Sequence, residues 1–219
     1  MISIDPGTTP EPAAAKAYRV LEHMIVTLEL APASFVTEGA LIEKLALGRT
    51  PVREAIQRLA WEGLLEVRPR AGLGVAPLHG ADWLRVVEAR RGVEIILARS
   101  AARLVTRESA ARFHDAALAM QDSVASGSVT DFLAADKSLD EAMALAADNP
   151  FAARLAAPLQ THSRRFWFAY QAASGLAEAA AHHVTLIGAI LDRDEDAAAS
   201  EAERLMALLR LHAEAAAQR

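Results

Sequence analysis

"GRTPVREAIQRLAWEGLLEVRPRAGLGV", residues 48–75, carries a threonine and a proline at the start of an amphipathic stretch, spaced arginines, a glycine stop, and then a second basic stretch around a glycine. Thr50 predicts an N-cap, and Pro51 then sits at the first helical position, where a missing N–H costs nothing. Val52, Ala55, Ile56 and Leu59 recur at helical spacing, and Gly63 ends the run. Beyond it, "LLEVR" and "GLGVAPL" predict two short strands around the turn Pro69–Gly72.

Upstream, Tyr18, Leu21, Ile25 and Leu28 predict a helix over 14–28, with Pro32 as its stop. Thr37 predicts the cap of a second helix, whose apolar face is Leu41, Ile42 and Leu45. Three helices and a hairpin in this order make a winged helix-turn-helix. Its second helix would enter the major groove with the N-terminal end leading. Arg49 and Arg53 can then face a groove while Val52, Ile56 and Leu59 face the core. An arginine fork grips guanine or phosphate, and the first N–H groups of the helix add a phosphate site. Arg70, beside Gly72 at the hairpin tip, is placed for the adjacent minor groove. Arg58, flanked by Glu54 and Glu62 at i±4, reads as structural. The competing reading is a solvated helix face with incidental arginines, and the agreement of cap, stripe, stop and basic hairpin speaks against it.

Charge agrees. The chain carries a net charge of −5, yet residues 44–70 hold six Lys and Arg against three Glu. Phosphate contact is local, so a basic patch on an acidic protein is compatible with DNA. With 219 residues, 53% hydrophobic content and no cysteine, the chain has enough apolar residues for sizeable cores and neither a disulfide nor a thiolate metal site. It holds no membrane-length apolar run or signal-peptide pattern, which predicts a cytoplasmic protein. Residues 1–13 read as a mobile tail, 14–77 as the winged helix-turn-helix with a linker at Pro77–Gly80, and 78–219 as an all-helical bundle of about six helices.

The 48–75 stretch resembles the DNA-binding signature of the GntR family of bacterial transcription regulators, and "AYRVLEHMIVTLELAPASFVTEGALIEKLAL" (17–47) resembles the same domain's first two helices. Two departures stand out: Ala33 where the family usually has Gly, and Gly48 where it usually has a polar residue. The helical part resembles the effector domain of the FadR-like subgroup, the FCD domain. "VVEARRGVEIILA" carries the pattern E-x-R-x-x-x-E at Glu88, Arg90 and Glu94; "DFLAADKSLDEAMALAADNP" and "AAHHVTLIGAILDRDEDAA" resemble two further segments.

The resemblance implies a homodimer on a near-palindromic operator in double-stranded DNA. A small effector, often an organic or sugar acid, would bind the helical domain and release a repressor. Many members of the subgroup hold a divalent metal through one Asp and three His. Here those positions are Asp136, Asp140 in place of a His, His183, and Leu205 in place of the last His. Asp136 and Asp140 share a helical face. With His183 they form a three-donor set that can hold zinc, nickel or manganese if water or effector completes the shell. The alternative is that this site has lost its metal, since Leu205 supplies no donor. Arg90 suits a carboxylate effector, and its alternative partner is Glu94 at i+4. "THSRRFWFAY" (161–170) adds aromatics that cannot all face one way. A competing function is a metal-dependent enzyme using Asp136, Asp140 and His183, although no nucleophile or oxyanion hole is evident.

Overall fold

The computed structural model describes residues 11–68, 72–170 and 175–218. The chain divides into two compact units, Met1–Pro77 and Leu78–Arg219. Most of the tail read over 1–13 lies outside the described residues, and Ala13 already opens the first helix.

In the first unit, α1 (Ala13–Val26) buries Ala17, Leu21, Met24 and Ile25, the i, i+4, i+7, i+8 face of a helix packed on one side. It stops before the predicted Leu28. The Thr27 hydroxyl and N–H both turn back to the His23 carbonyl, and Leu28 turns left-handed at φ 59°. β1 (Phe35–Val36) follows, then α2 (Glu38–Leu45), where the Thr37 hydroxyl accepts from Ala40 N–H at 3.1 Å as a cap should. After α3 (Arg49–Trp61), Gly63 adopts φ 77°, and the hairpin β2 (Leu65–Arg68) and β3 (Gly72–Val75) closes the unit. The antiparallel sheet has the order β1-β3-β2, with Val67 opposite Leu73 and Val36 on Leu73's other side. A two-residue strand has no period to read, so β1 left no signal in the sequence. Leu21, Ile25, Leu41, Val52, Leu59, Leu64 and Leu73 form one buried cluster beneath these elements.

The second unit contains, among the described residues, α4 (Gly80–Leu104), α5 (Arg107–Ser126), α6 (Val129–Ala146), α7 (Pro150–Tyr170), α8 (Leu176–Leu191) and α9 (Glu195–Ala217). The breaks are chemically marked. Thr106 and Ser109 form a reciprocal capping box, Gly127 ends α5 at φ 69°, and Ser128 and Asp194 cap α6 and α9. α4 packs along α9 and α7. Trp83 of α4 is fully buried and stacks on Phe166 and Tyr170 at centroid distances of 6.0 and 6.4 Å. Trp167, next to Phe166, turns instead to Phe132 at 5.0 Å. The aromatics of 161–170 thus divide between two faces of α7.

Ala33 carries a measurable cost. Its N–H is held by the Val75 carbonyl at 3.0 Å and its φ is 61°, a left-handed conformation unfavourable for a residue with a Cβ by about 1–2 kcal/mol. Ala33→Gly is expected to stabilise the first unit by about 0.5 kcal/mol, the greater entropy of glycine in the unfolded chain offsetting the rest. Amide exchange at Leu21 and Leu59 should slow accordingly; unchanged or faster exchange would show that the turn is not strained.

Candidate functional site

Two places gather chemistry, one in each unit. In the first, α3 begins two residues earlier than its threonine suggested. Gly48 is the cap, extended at φ −64° and ψ 159°, and its carbonyl accepts from Val52 N–H at 3.4 Å. Thr50 therefore lies inside the helix, and Pro51 is the third helical residue. It is still tolerated there because the first four N–H groups of a helix have no intrahelical acceptor. Gly48 has no side chain, so no side-chain cap forms. Arg49, Thr50 and Arg53 are exposed, with Val52, Ala55, Ile56 and Leu59 buried on the other side. Gln57, exposed one turn beyond Arg53, extends this face and was not singled out in the sequence.

Arg53 Nε lies 2.7 Å from Glu38 Oε1 at the start of α2. Such an exposed pair is worth less than about 1 kcal/mol, so a phosphate or guanine can compete for the guanidinium. Arg58 is engaged differently. Its guanidinium lies 3.7 Å from the centre of the Tyr18 ring, and its Nε bonds Glu62, which also accepts from the Tyr18 hydroxyl. Arg70 and the turn at residues 69–71 lie outside the described residues. Gly72 opens β3 at φ 98°, where a Cβ would stand 3.0 Å from the Val36 carbonyl, so backbone geometry alone demands glycine there.

In the second unit, α4, α6, α7 and α8 aim charged groups at one point. Arg164 Nη1 reaches Asp136 Oδ2 at 3.1 Å and Asp140 Oδ2 at 2.5 Å, while Nη2 reaches Thr161 Oγ1 at 3.3 Å. His183 Nε2 lies 2.9 Å from the other oxygen of Asp136, and its Nδ1 lies 2.7 Å from the Ala179 carbonyl. Beside them Arg90 grips Glu94 Oε1 through Nε at 2.9 Å and Nη2 at 2.8 Å, and Gln160 donates to the same oxygen at 3.0 Å. Arg90, Glu94, Asp140, Gln160, Arg164 and His183 are all buried. Of the two partners open to Arg90 in the sequence, Glu94 is the one it holds. Gln160 escaped the sequence reading, and Arg164 entered it only within the stretch 161–170, without a role of its own. Two cavities of about 20 and 10 Å3 flank the cluster, the second lined also by Leu205. Each has room for roughly one water. A wider groove of about 460 Å3 between α4 and α9 converges no buried charge and is rimmed by exposed residues such as Arg91 and Arg210.

Electrostatics separates the two aspartates. Burial opposes ionisation of Asp136, but the hydrogen bond and charge of His183, with Arg164 and Arg90, hold its carboxyl far below the ordinary range. Asp140 is pushed up to about 7, by burial first and then by the charges of Asp136 and Glu94. Arg164 pulls the other way without prevailing, because three carboxylates share one buried volume. His183 is raised: burial lowers it, but the hydrogen bond and charge of Asp136 outweigh that.

The family model for the FCD domain matches residues 85–208, and that for the gntR family of bacterial regulatory proteins matches residues 13–75. The chain belongs to the GntR family and carries an FCD domain. It is 41% identical over 81 residues to a helix-turn-helix regulator in an unstable DNA locus of Streptomyces ambofaciens, covering 36% of this chain and 33% of that protein. It is 32% identical over 96 residues to the transcriptional repressor RspR of Escherichia coli, covering 44% and 42%. The match thus spans less than half the length of these relatives. In fold it resembles the Escherichia coli protein McbR/YncC, with TM-score 0.77 and 18% identity over 92% of this chain and 98% of that one. A GntR regulator from Rhodococcus gives TM-score 0.74 and 17% identity over 93% and 98%.

The metal set implied by this GntR and FCD resemblance does not fit a divalent ion. Asp136 and Asp140 do share a face, but both turn their Oδ2 to the Arg164 guanidinium, and both ring nitrogens of His183 are engaged. Leu205 is buried and offers no donor. Among the described residues no group of three or more His, Cys, Asp and Glu is disposed to hold a metal ion.

The raised carboxyl of Asp140 sets a pH dependence. The folded FCD domain keeps this proton at a pH where the unfolded chain, ordinary for Asp at 3.8, has released it. The resulting stability is present below about pH 4 and is lost as pH rises through about 7. His183, also raised, acts with the same sign. Asp140→Asn should therefore flatten the decline in thermal midpoint between about pH 5 and 8, and be more stable than the parent at pH 8 by on the order of 1 kcal/mol. A parent midpoint that rises over this range would contradict the assignment.

Proposed function

We propose that the protein is a DNA-binding transcription regulator, a repressor that binds a near-palindromic operator as a homodimer in the cytoplasm and is released when a small molecule enters the FCD domain. The observation that carries the DNA reading is the exposed face Arg49, Thr50, Arg53 and Gln57 at the leading end of the second helix of a helix-turn-helix. The description of RspR as a repressor supports the sign of regulation. Among the described residues no helix is long and apolar enough to cross a membrane. The enzyme alternative loses its support, since Asp136, Asp140 and His183 are committed to Arg164 and to one another.

The effector site is the cavity around Arg90, Asp136, Asp140 and His183, and Arg164 belongs to it. A carboxylate effector enters by exchange: its oxygens replace Glu94 on Arg90 or Asp140 on Arg164, keeping the buried guanidinium paired.

Gel shift on the protein's own upstream DNA tests the reading. Arg49→Ala and Arg53→Ala should each weaken operator binding by roughly 1–3 kcal/mol, as expected for bidentate base contacts. Arg58→Ala should leave affinity near that of the parent and lower stability by on the order of 1 kcal/mol, through loss of the Tyr18 and Glu62 contacts. Equal loss of affinity in all three folded variants would contradict the face assignment. Effector release that survives combined loss of Arg90, Asp136 and His183 would contradict the cavity assignment.

A further inference from the structure

We infer that Arg164 is the resident cation of the FCD cavity, its guanidinium lying between Asp136 and Asp140, beside the Asp136–His183 contact, in the place of a divalent metal, so that this domain is metal-independent.

The first support is charge geometry. Asp136 and Asp140 lie four residues apart on α6, stacked on one face, Asp140 buried and the Asp136 side chain only 13% exposed. Two such carboxylates repel each other and need a cation between them. Arg164 Nη1 meets one oxygen of each, at 3.1 and 2.5 Å, from the neighbouring helix α7. A guanidinium does not exchange with solvent ions and does not lose its proton in a protein. It is held further by Thr161 on its own helix.

The second support is the state of His183. Its Nδ1 faces a backbone carbonyl and its Nε2 faces a carboxylate oxygen of Asp136. Both partners are acceptors only, so both ring nitrogens must carry hydrogen. An imidazolium has no lone pair to give a metal. A divalent ion entering here would have to expel a proton from His183 and the guanidinium from two carboxylates, and would meet the buried side chain of Leu205 where the subgroup has a further imidazole.

The third support is charge balance. Arg90, Arg164 and imidazolium His183 already match or exceed the negative charge of Glu94, Asp136 and Asp140, since Asp140 ionises fully only above about pH 7. A doubly charged ion added to this set would leave uncompensated buried charge.

The experiment uses untagged full-length protein, its Arg164→Ala variant and the Arg164→Ala/Asp136→Ala double variant. Each is titrated with zinc, nickel or manganese chloride, dialysed, and read by elemental analysis and thermal midpoint. The parent should hold substoichiometric metal and show no shift in midpoint. Arg164→Ala removes the competing cation and lets His183 lose its proton, leaving two carboxylates and an imidazole. It should take up about one ion per chain with a rise in midpoint, and the double variant should lose that uptake. Stoichiometric metal in the parent that disappears in Asp136→Ala would overturn the assignment, as would a folded Arg164→Ala that binds none. Should Arg164→Ala fail to fold, Arg164→Lys decides. It keeps a cation and should fold and stay metal-free; one ion per chain in that variant would overturn the assignment equally.

Discussion

The guanidinium of Arg164 between Asp136 and the buried Asp140 is the constraint on which the helical unit depends. Asp136 and Asp140 project from α6, Arg164 from α7, and His183 from α8 onto the outer oxygen of Asp136. Through Gln160, one turn before Arg164, the same helix holds Glu94, which in turn holds Arg90. Four helices are thereby fixed in register by groups that could not be buried singly. Such clusters add little net stability over an apolar core, but removing one member strands the others. The arrangement therefore specifies the packing more than it strengthens it. It also leaves only water-sized spaces, so a ligand must exchange contacts with the cluster.

The first unit is organised on another principle. Its helices are held by an apolar cluster, and most of its charges lie outside, Glu22 being buried. Arg58 is tied to Tyr18 and Glu62, bracing α3 against α1, while Arg49, Arg53 and Gln57 line the leading face. Division of labour among arginines on one short helix follows from angle: residues 49, 53 and 57 share a face, and 58 lies about 100° round from 57. The same logic makes Gly72 a structural residue, since the wing needs its positive φ where β3 passes close to β1.

Much of this architecture was legible because it rests on local signals. The stripe Val52–Ala55–Ile56–Leu59, the cap Thr37, the stop Gly63 and the marked breaks between the later helices each act within a few residues. The threonine cap at Thr50 misled, because a Gly48 cap leaves no side-chain signature and Pro51 is tolerated anywhere in the first turn. β1 was too short to show a period. In the cavity, Asp136, Asp140 and His183 were found through a family pattern that presumes a metal, and that pattern has no place for Arg164. Its role arises only when α7 packs beside α6, a contact between residues 24 and 28 positions apart. In "THSRRFWFAY" the aromatics drew attention, and neither arginine carries a local mark that distinguishes it.

The central claim is that His183, Asp136, Asp140 and Arg164 form a closed ion cluster, and the protonation of one ring tests it most directly. A nitrogen NMR spectrum of histidine-labelled protein at about pH 6.5, where an ordinary histidine is half neutral, reports each ring nitrogen of His183 separately. The account predicts both nitrogens protonated, with no neutral fraction at that pH. A neutral ring with its lone pair on Nε2 would contradict it, since that nitrogen could then not donate to Asp136.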